Sequence, residues 1–134
     1  MFKLTLLSVA ALAASVVSAE TAYFALQTHE KSQDFVFQLT DDAKIAHARK
    51  ILSGEETDRV HAMGRILKRR ASYNPDWSFQ LDPETITFFN YAIEVCDASV
   101  QYVEDNLDEV CGAFLPGCFY CPWTGQLTRE IKPE

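Results

Sequence analysis

Twelve Lys and Arg against 19 Asp and Glu give this 134-residue chain a formal net charge of −7 and a pI near 4.9. The length suits one domain, and 48% hydrophobic residues exclude wholesale disorder. The acidity argues against a nucleic-acid partner, which selects basic surface, and against electrostatic docking on anionic lipid.

The N-terminal stretch reads as an address. Met1 to Ala19 carries one basic residue, Lys3, then an apolar run from Leu4 to Val17, then Val17-Ser18-Ala19 with small residues flanking a cleavage point. A membrane-spanning helix wants about 20 apolar residues. This run is shorter and carries serines, so the expectation is a secretory signal peptide over 1–19 and an extracellular product. Cleavage leaves 115 residues, 20–134, as a single domain with net charge −8 once Lys3 is lost. No later segment is long and apolar enough to span a bilayer, so the mature form is expected off the membrane. No Asn-x-Ser/Thr glycan acceptor occurs, because Pro75 follows Asn74 and neither Asn90 nor Asn106 has the hydroxyl partner.

The mature chain opens with a predicted hairpin over Thr21 to Thr40. Ala22, Phe24 and Leu26 alternate on one strand and Phe35, Phe37 and Leu39 on the next, around a polar turn. A helix follows, capped by Thr40, Asp41 or Asp42, with Ile45, Ala48, Ile51 and Leu52 inward and Gly54 as its stop. Arg59 to Arg69 alternates again, with Gly64 marking a bulge or a close approach. The loop Ser72 to Asp76 leads into a predicted strand over Trp77 to Leu81, which Asp82-Pro83 ends.

Thr85 to Val110 fits two periods. Ile86, Phe89, Ile93, Cys96, Val100, Val103, Leu107 and Val110 fall at helical spacing, yet Phe89, Tyr91, Ile93 and Val95 alternate as in a strand. One helix of that length is unusual in a small domain. The expectation is therefore a strand over 85–96 and a helix from Ala98 to Glu109 capped by Asp97, with a last short strand around 126–131. The fold class is α+β, with an antiparallel or mixed sheet of about five strands, two helices on one face and a disulfide-tied C-terminal tail.

Cys96, Cys111, Cys118 and Cys121 make an even set in a chain read as secreted, which favours two disulfides. Cys118-Phe-Tyr-Cys121 has the spacing of redox and zinc sites, but it lies in a loop rather than at a helix start. Only His29, His47 and His61 are at hand to complete a zinc site, so no metal is expected. A helix over 100–110 would hold Cys96 and Cys111 some ~20 Å apart, beyond the ~6 Å a disulfide spans. Of the two remaining pairings, Cys111–Cys118 with Cys96–Cys121 is preferred, because it closes a tight loop and ties down the tail. The crossed set, Cys96–Cys118 with Cys111–Cys121, stays open.

Four segments carry a family resemblance: Phe35-Val-Phe-Gln-Leu-Thr40, Tyr73-Asn-Pro-Asp-Trp-Ser-Phe-Gln-Leu-Asp-Pro83, Ala92-Ile-Glu-Val-Cys-Asp97 and Cys121-Pro-Trp123. Across nearly the whole mature chain it resembles the family named after the N-terminal domain of a slime-mould protein described as calmodulin-binding. The resemblance implies a small α+β domain with Cys96 and Cys121 bonded, and it implies no particular chemistry. The family pattern has His where this chain has Gln80, so no role of that histidine carries over. The Cys111 and Cys118 pair is an addition to the pattern. No calcium site is implied, since Asp105-Asn-Leu-Asp-Glu109 lacks the glycine and the ligand spacing of an EF-hand loop.

Nothing in the chain matches a catalytic motif: there is no G-x-S-x-G, H-E-x-x-H, P-loop or G-x-G-x-x-G, and no cofactor is expected. His47 and His61 read as surface or packed histidines. Glu94, Asp97, Glu104, Asp105, Asp108 and Glu109 read first as a solvated helix face, with a weak cation site or basic-partner patch as the functional alternative. Lys68-Arg69-Arg70 reads as a charged strand end that discourages sheet aggregation. The best binding candidates are Tyr73, Asn74 and Pro75 in a rigid loop, with Trp77 beside them but favoured as core. The expected function is a non-catalytic module that binds a protein partner. An inhibitor presenting the 72–76 loop is the second reading and a small hydrolase the third. No oligomeric state follows from the residues.

Overall fold

The computed structural model describes residues 20–29 and 32–132, so the predicted signal segment lies outside the described residues. The hairpin forms as expected: β1 (Ala22–Gln27) and β2 (Phe35–Leu39) pair antiparallel, with Ala22 opposite Leu39, Phe24 opposite Phe37 and Leu26 opposite Phe35. Those six side chains share one face and are all buried. The C-terminal strand β9 (Gln126–Ile131) adds to the other edge of β1, giving the order β2-β1-β9. A β1 flanked on both edges explains why Ala25, on its other face, is also buried.

Helix α1 (Asp42–Ser53) begins at Asp41, whose Oδ1 accepts from the amides of Ala43 and Lys44 at 2.9 and 3.1 Å. It stops at Gly54, where φ is +86° and the amide donates back to the Ile51 carbonyl. Ile45 and Ala48 enter the core, and Arg49 on the same helix reaches β9. There it donates to Glu130 at 2.8 and 2.9 Å and to Glu20 at 2.7 Å.

The second sheet is built on β3 (His61–Leu67). Its C-terminal end pairs with β4 (Gln80–Leu81), its first half with β5 (Thr87–Phe89), and its middle with β8 (Phe119–Tyr120). Between β4 and β5 the chain makes a 3-10 turn over Pro83–Thr85, started by Asp82 Oδ1 accepting from the Glu84 amide. Gly64 lies under this turn. A Cβ there would sit 3.1 Å from Ile86 Cγ1, so the glycine marks a close approach.

Two sequence expectations are corrected here. Residues 85–96 are not one strand: β5 ends at Phe89, and Glu94–Cys96 is a 3-10 turn. The reason is the length of β3. Its first residue, His61, is already opposite Phe89, so residues beyond 89 find no strand to pair with. Ala98 to Glu109 is not one helix either. Helix α2 (Val100–Asp105) is capped by Ser99, whose Oγ accepts from the Tyr102 amide, and Asn106 ends it by donating from Nδ2 to the Tyr102 carbonyl. A 3-10 turn over Leu107–Glu109 follows. Asp97, the expected cap, instead accepts from the Trp123 amide at 2.8 Å.

The predicted strand over 77–81 shrinks to β4, because the Ser78 amide and hydroxyl are taken by the Glu104 carboxylate at 2.9 and 2.7 Å. Its alternation still tells the inward side: Trp77, Phe79 and Leu81 are buried. Short β6 (Val110–Cys111) and β7 (Phe114–Pro116) pair parallel within the loop that Cys111–Cys118 closes. Cys111, Leu115 and Cys118 all have positive φ there, a conformation held by the closed loop. Cys96–Cys121 is the second bridge, so the preferred pairing is the one formed. The class is α+β with mostly antiparallel pairing and two helices, its strands divided among three sheets rather than one.

Candidate functional site

The turn from Ala71 to Trp77 is the leading candidate from the sequence, and most of it faces inward. Asn74 is 2% exposed. Its Oδ1 accepts from the Val36 amide of β2 at 2.8 Å, and its Nδ2 donates to the Phe79 carbonyl at 3.3 Å. The expected surface placement of Asn74 is therefore corrected: its amide replaces the neighbour strand that the free edge of β2 lacks. Trp77 is buried, as expected, and its Nε1 donates to the Asp34 carbonyl at 2.8 Å. Tyr73 is half-buried against Tyr23, with ring centroids 5.2 Å apart, and its hydroxyl donates to Gln80 Oε1. Burial pushes its phenol above the ordinary tyrosine range. Of the candidates only Pro75 is fully at the surface, its carbonyl held by the Arg70 guanidinium, which also reaches the Trp77 carbonyl at 3.2 Å.

The charged clusters are also engaged within the fold. Glu104 holds Ser78, Asp97 holds Trp123, and Asp105 accepts from Gln101 at 2.9 Å; the Glu94 side chain lies outside the described part. In the basic cluster, Lys68 donates to the Leu107 carbonyl and Arg70 clamps the turn just described. His47 stacks on Phe88 with its Nε2 donating to the Arg59 carbonyl, and His61 Nδ1 donates to the Gly125 carbonyl at 2.8 Å. Each ring nitrogen bonded to a carbonyl must carry the proton. Among the described residues no group of three or more His, Cys, Asp or Glu is arranged to hold a metal ion.

The largest exposed apolar feature lies elsewhere. Tyr91, Ile93 and Val95 are 77%, 70% and 53% exposed, and Phe119 of β8 is 47% exposed. Ile93, Val95 and Phe119, with Met63, Ala92 and Pro116, line a groove of about 410 Å³ whose floor is the Cys96–Cys121 bridge. The groove exists because residues 90–95 have left the ladder of β3. Their backbone is fixed at both ends. Asn90 Oδ1 accepts from the Tyr91 amide and its Nδ2 donates to Asp58; at the far end Cys121 donates to the Cys96 carbonyl at 2.8 Å. The alternating Tyr91, Ile93 and Val95 are thus held outward. Their alternation is visible in the sequence, where it reads as a half-buried strand, and the signal that separates the two is the missing partner beyond His61.

The sequence itself places this arrangement in a family. Residues 20–134 match the family described as the N-terminal domain of the slime-mould calmodulin-binding protein. The chain belongs to that family. The match spans both disulfides, the Asn74 clamp and the groove. No curated protein and no solved structure matched the chain. The family is therefore the frame within which the groove and the turn are to be read, and it brings no assigned active site with it.

Proposed function

We propose that this member of the family is a secreted, non-catalytic module that binds a protein partner across the groove beside Cys96–Cys121. Secretion is supported by the signal-like segment over 1–19, by two disulfides, and by a family match that starts at Glu20, the residue after the expected cleavage point. The observation that carries the binding reading is the cluster of Tyr91, Ile93, Val95 and Phe119 left in solvent around a preformed apolar groove. Soluble monomers rarely leave contiguous large apolar side chains uncovered, and such patches mark interaction sites. Aromatic and branched anchors on a backbone already tied down lose little entropy when covered. The occupant is a run of apolar side chains from another protein. Calmodulin binding, the property of the family's namesake, is not part of the reading. Calmodulin takes basic amphipathic helices, whereas the domain is acidic overall and its longest described helix has 12 residues.

The test is site-specific photo-cross-linking in the medium where the protein is secreted, with a benzophenone amino acid at Val95 or, as control, at Gln101 of α2. The expected result is a discrete adduct from position 95 alone, lost in Ile93→Ser/Phe119→Ser, a variant whose melting temperature should barely change. Equal adducts from both positions, or adducts indifferent to the double variant, would overturn the assignment. An adduct at twice the chain's own mass would replace the foreign partner with a second copy.

A further inference from the structure

The groove is not the only built concavity. A second, polar cleft of about 580 Å³ opens where the end of β1 meets the start of β9, and its size falls within the ~300–1,000 Å³ usual for small-molecule sites. Gln27, His29, Trp123, Thr124, Gln126 and Thr128 line it, and Thr28 closes its floor. Among the described residues none of the lining side chains is a carboxylate, a lysine or an arginine, so the wall offers amides, hydroxyls, an imidazole and an indole. A smaller hollow of about 130 Å³ adjoins it, sharing Thr28 and His29 and including Ser32.

Two features set this region apart from an incidental hollow. Among the described residues just two buried side-chain polar atoms have no hydrogen-bond partner, Trp123 Nε1 and Ser32 Oγ. One belongs to each of the adjoining hollows. A buried donor left unmet costs about 1–3 kcal/mol, so both hollows hold polar groups that an oxygen-rich ligand would satisfy. The second feature is Thr128. Ala25 is opposite Arg129 and Leu26 is opposite Leu127, which makes Thr128 the extra residue of a β-bulge, the device by which a strand re-aims a side chain.

The wall is also rigid. Trp123 is held by its own amide to Asp97, by the Cys121–Cys96 bridge two residues before it, and by the 122–125 turn, whose Gly125 amide donates to the Pro122 carbonyl. His61 fixes the far end of that turn through the Gly125 carbonyl. On the other side, Gln27 Nε2 is oriented by Asp34 at 2.9 Å, and Gln27 and Gln126 are opposite one another in the ladder.

We propose that this cleft is a binding site for a neutral saccharide. Each primary amide sets one donor face and one acceptor face side by side, which suits vicinal hydroxyls that donate and accept together. The indole adds an apolar surface for the C–H face of a sugar ring and an N–H donor for a ring or hydroxyl oxygen. An ionic ligand would find no fixed counter-charge on the described wall. The site is independent of the apolar groove and of the protein partner proposed for it.

The oxidised protein, screened on an array of neutral and acidic glycans, should retain one or more neutral oligosaccharides, whose binding is then titrated by tryptophan fluorescence. Trp123→Phe keeps the ring and removes the donor, and it should weaken that binding about tenfold or more. Gln126→Ala should weaken it comparably. In Trp123→Phe the remaining Trp77, buried in the core, reports that the fold is intact. A blank array, retention of acidic glycans alone, or neutral-glycan binding that survives both variants would overturn the proposal.

Discussion

Asn74→Ala tests whether the 71–77 turn is a structural clamp. The substitution deletes an acceptor 2.8 Å from the Val36 amide and a donor 3.3 Å from the Phe79 carbonyl, both in buried surroundings. A buried backbone group left unsatisfied costs about 1–3 kcal/mol. The shorter bond takes the upper part of that range and the longer one the lower part, for a total of about 3 kcal/mol. The backbone ties of the turn, from the Asn74 amide to the Ala71 carbonyl and from Trp77 to the Asn74 carbonyl, survive in alanine and add nothing. For a domain of this size the loss corresponds to a drop of roughly 10–15 °C in melting temperature. Urea unfolding followed by far-UV circular dichroism measures it, with Pro75→Ala as the control one residue away, expected within about 0.5 kcal/mol of wild type. Asn74→Asp adds a sign test. Burial raises the new carboxyl's folded-state pKa, so that variant is least stable at neutral pH. It recovers as pH falls toward the unfolded value of about 4, where a protonated carboxyl can again donate to Phe79. A loss under about 1 kcal/mol for Asn74→Ala, or parity with Pro75→Ala, refutes the clamp.

Three further outcomes are expected. The Arg49 guanidinium holds the Glu130 carboxyl down to about 2, from 4.5. A carboxyl lowered on folding stabilises above its unfolded value and loses that contribution as pH falls through the folded one. The stability gap between wild type and Glu130→Gln should therefore close between pH 4.5 and about 2. Because Arg49 is substantially exposed, the gap is about 1 kcal/mol at most and shrinks in salt; a pH-independent gap contradicts the pairing. Gly64→Ala forces a methyl to within 3.1 Å of Ile86 and should cost about 1–3 kcal/mol by chemical denaturation, whereas a neutral result would show that the 83–85 turn yields freely. Replacing Cys96 and Cys121 by serine opens a separation of 25 residues, against 7 for Cys111 and Cys118, so the first pair should cost about 1 kcal/mol more on loop entropy. The reverse order in calorimetry would mean that native-state effects outweigh the loop.

What the sequence made legible follows from local chemistry. Alternation marked the hairpin and its buried face; a short acidic side chain and a glycine marked the ends of α1. Where two periods competed, between 85 and 110, the outcome turned on something non-local: how many residues of β3 remain to pair with. The helix there is cut short by Asn106, whose side chain competes for a carbonyl of its own last turn, and Asp97 is drawn off to Trp123. The preferred disulfide pairing formed even though the long helix that argued against one alternative did not. At the turn, Tyr73-Asn74-Pro75 resembles a surface loop because asparagine and proline favour turns. Nothing within those residues reveals that β2 ends a sheet and needs an amide from elsewhere to cover its free edge.

The segment from Cys121 to Gly125 then connects fold to surface. Once β3 is exhausted at His61, the chain after Phe89 must satisfy its backbone and anchor its apolar side chains without a ladder. It does so on this segment, through the Cys96–Cys121 bridge, the Cys121 amide to the Cys96 carbonyl, and the Trp123 amide to Asp97. Those ties fix residues 90–97 by backbone and sulfur rather than by packing, which is why Tyr91, Ile93 and Val95 can stay in solvent without the segment collapsing onto the core. They also fix Trp123, so one short, cross-braced stretch supplies a wall to the apolar groove through Cys121 and a wall to the polar cleft through Trp123. A side chain in either wall is then positioned before any ligand arrives, and the ordering cost of binding falls on the ligand. Scaffold residues such as Asn74 and Asp97 set the shape of both surfaces without touching either occupant.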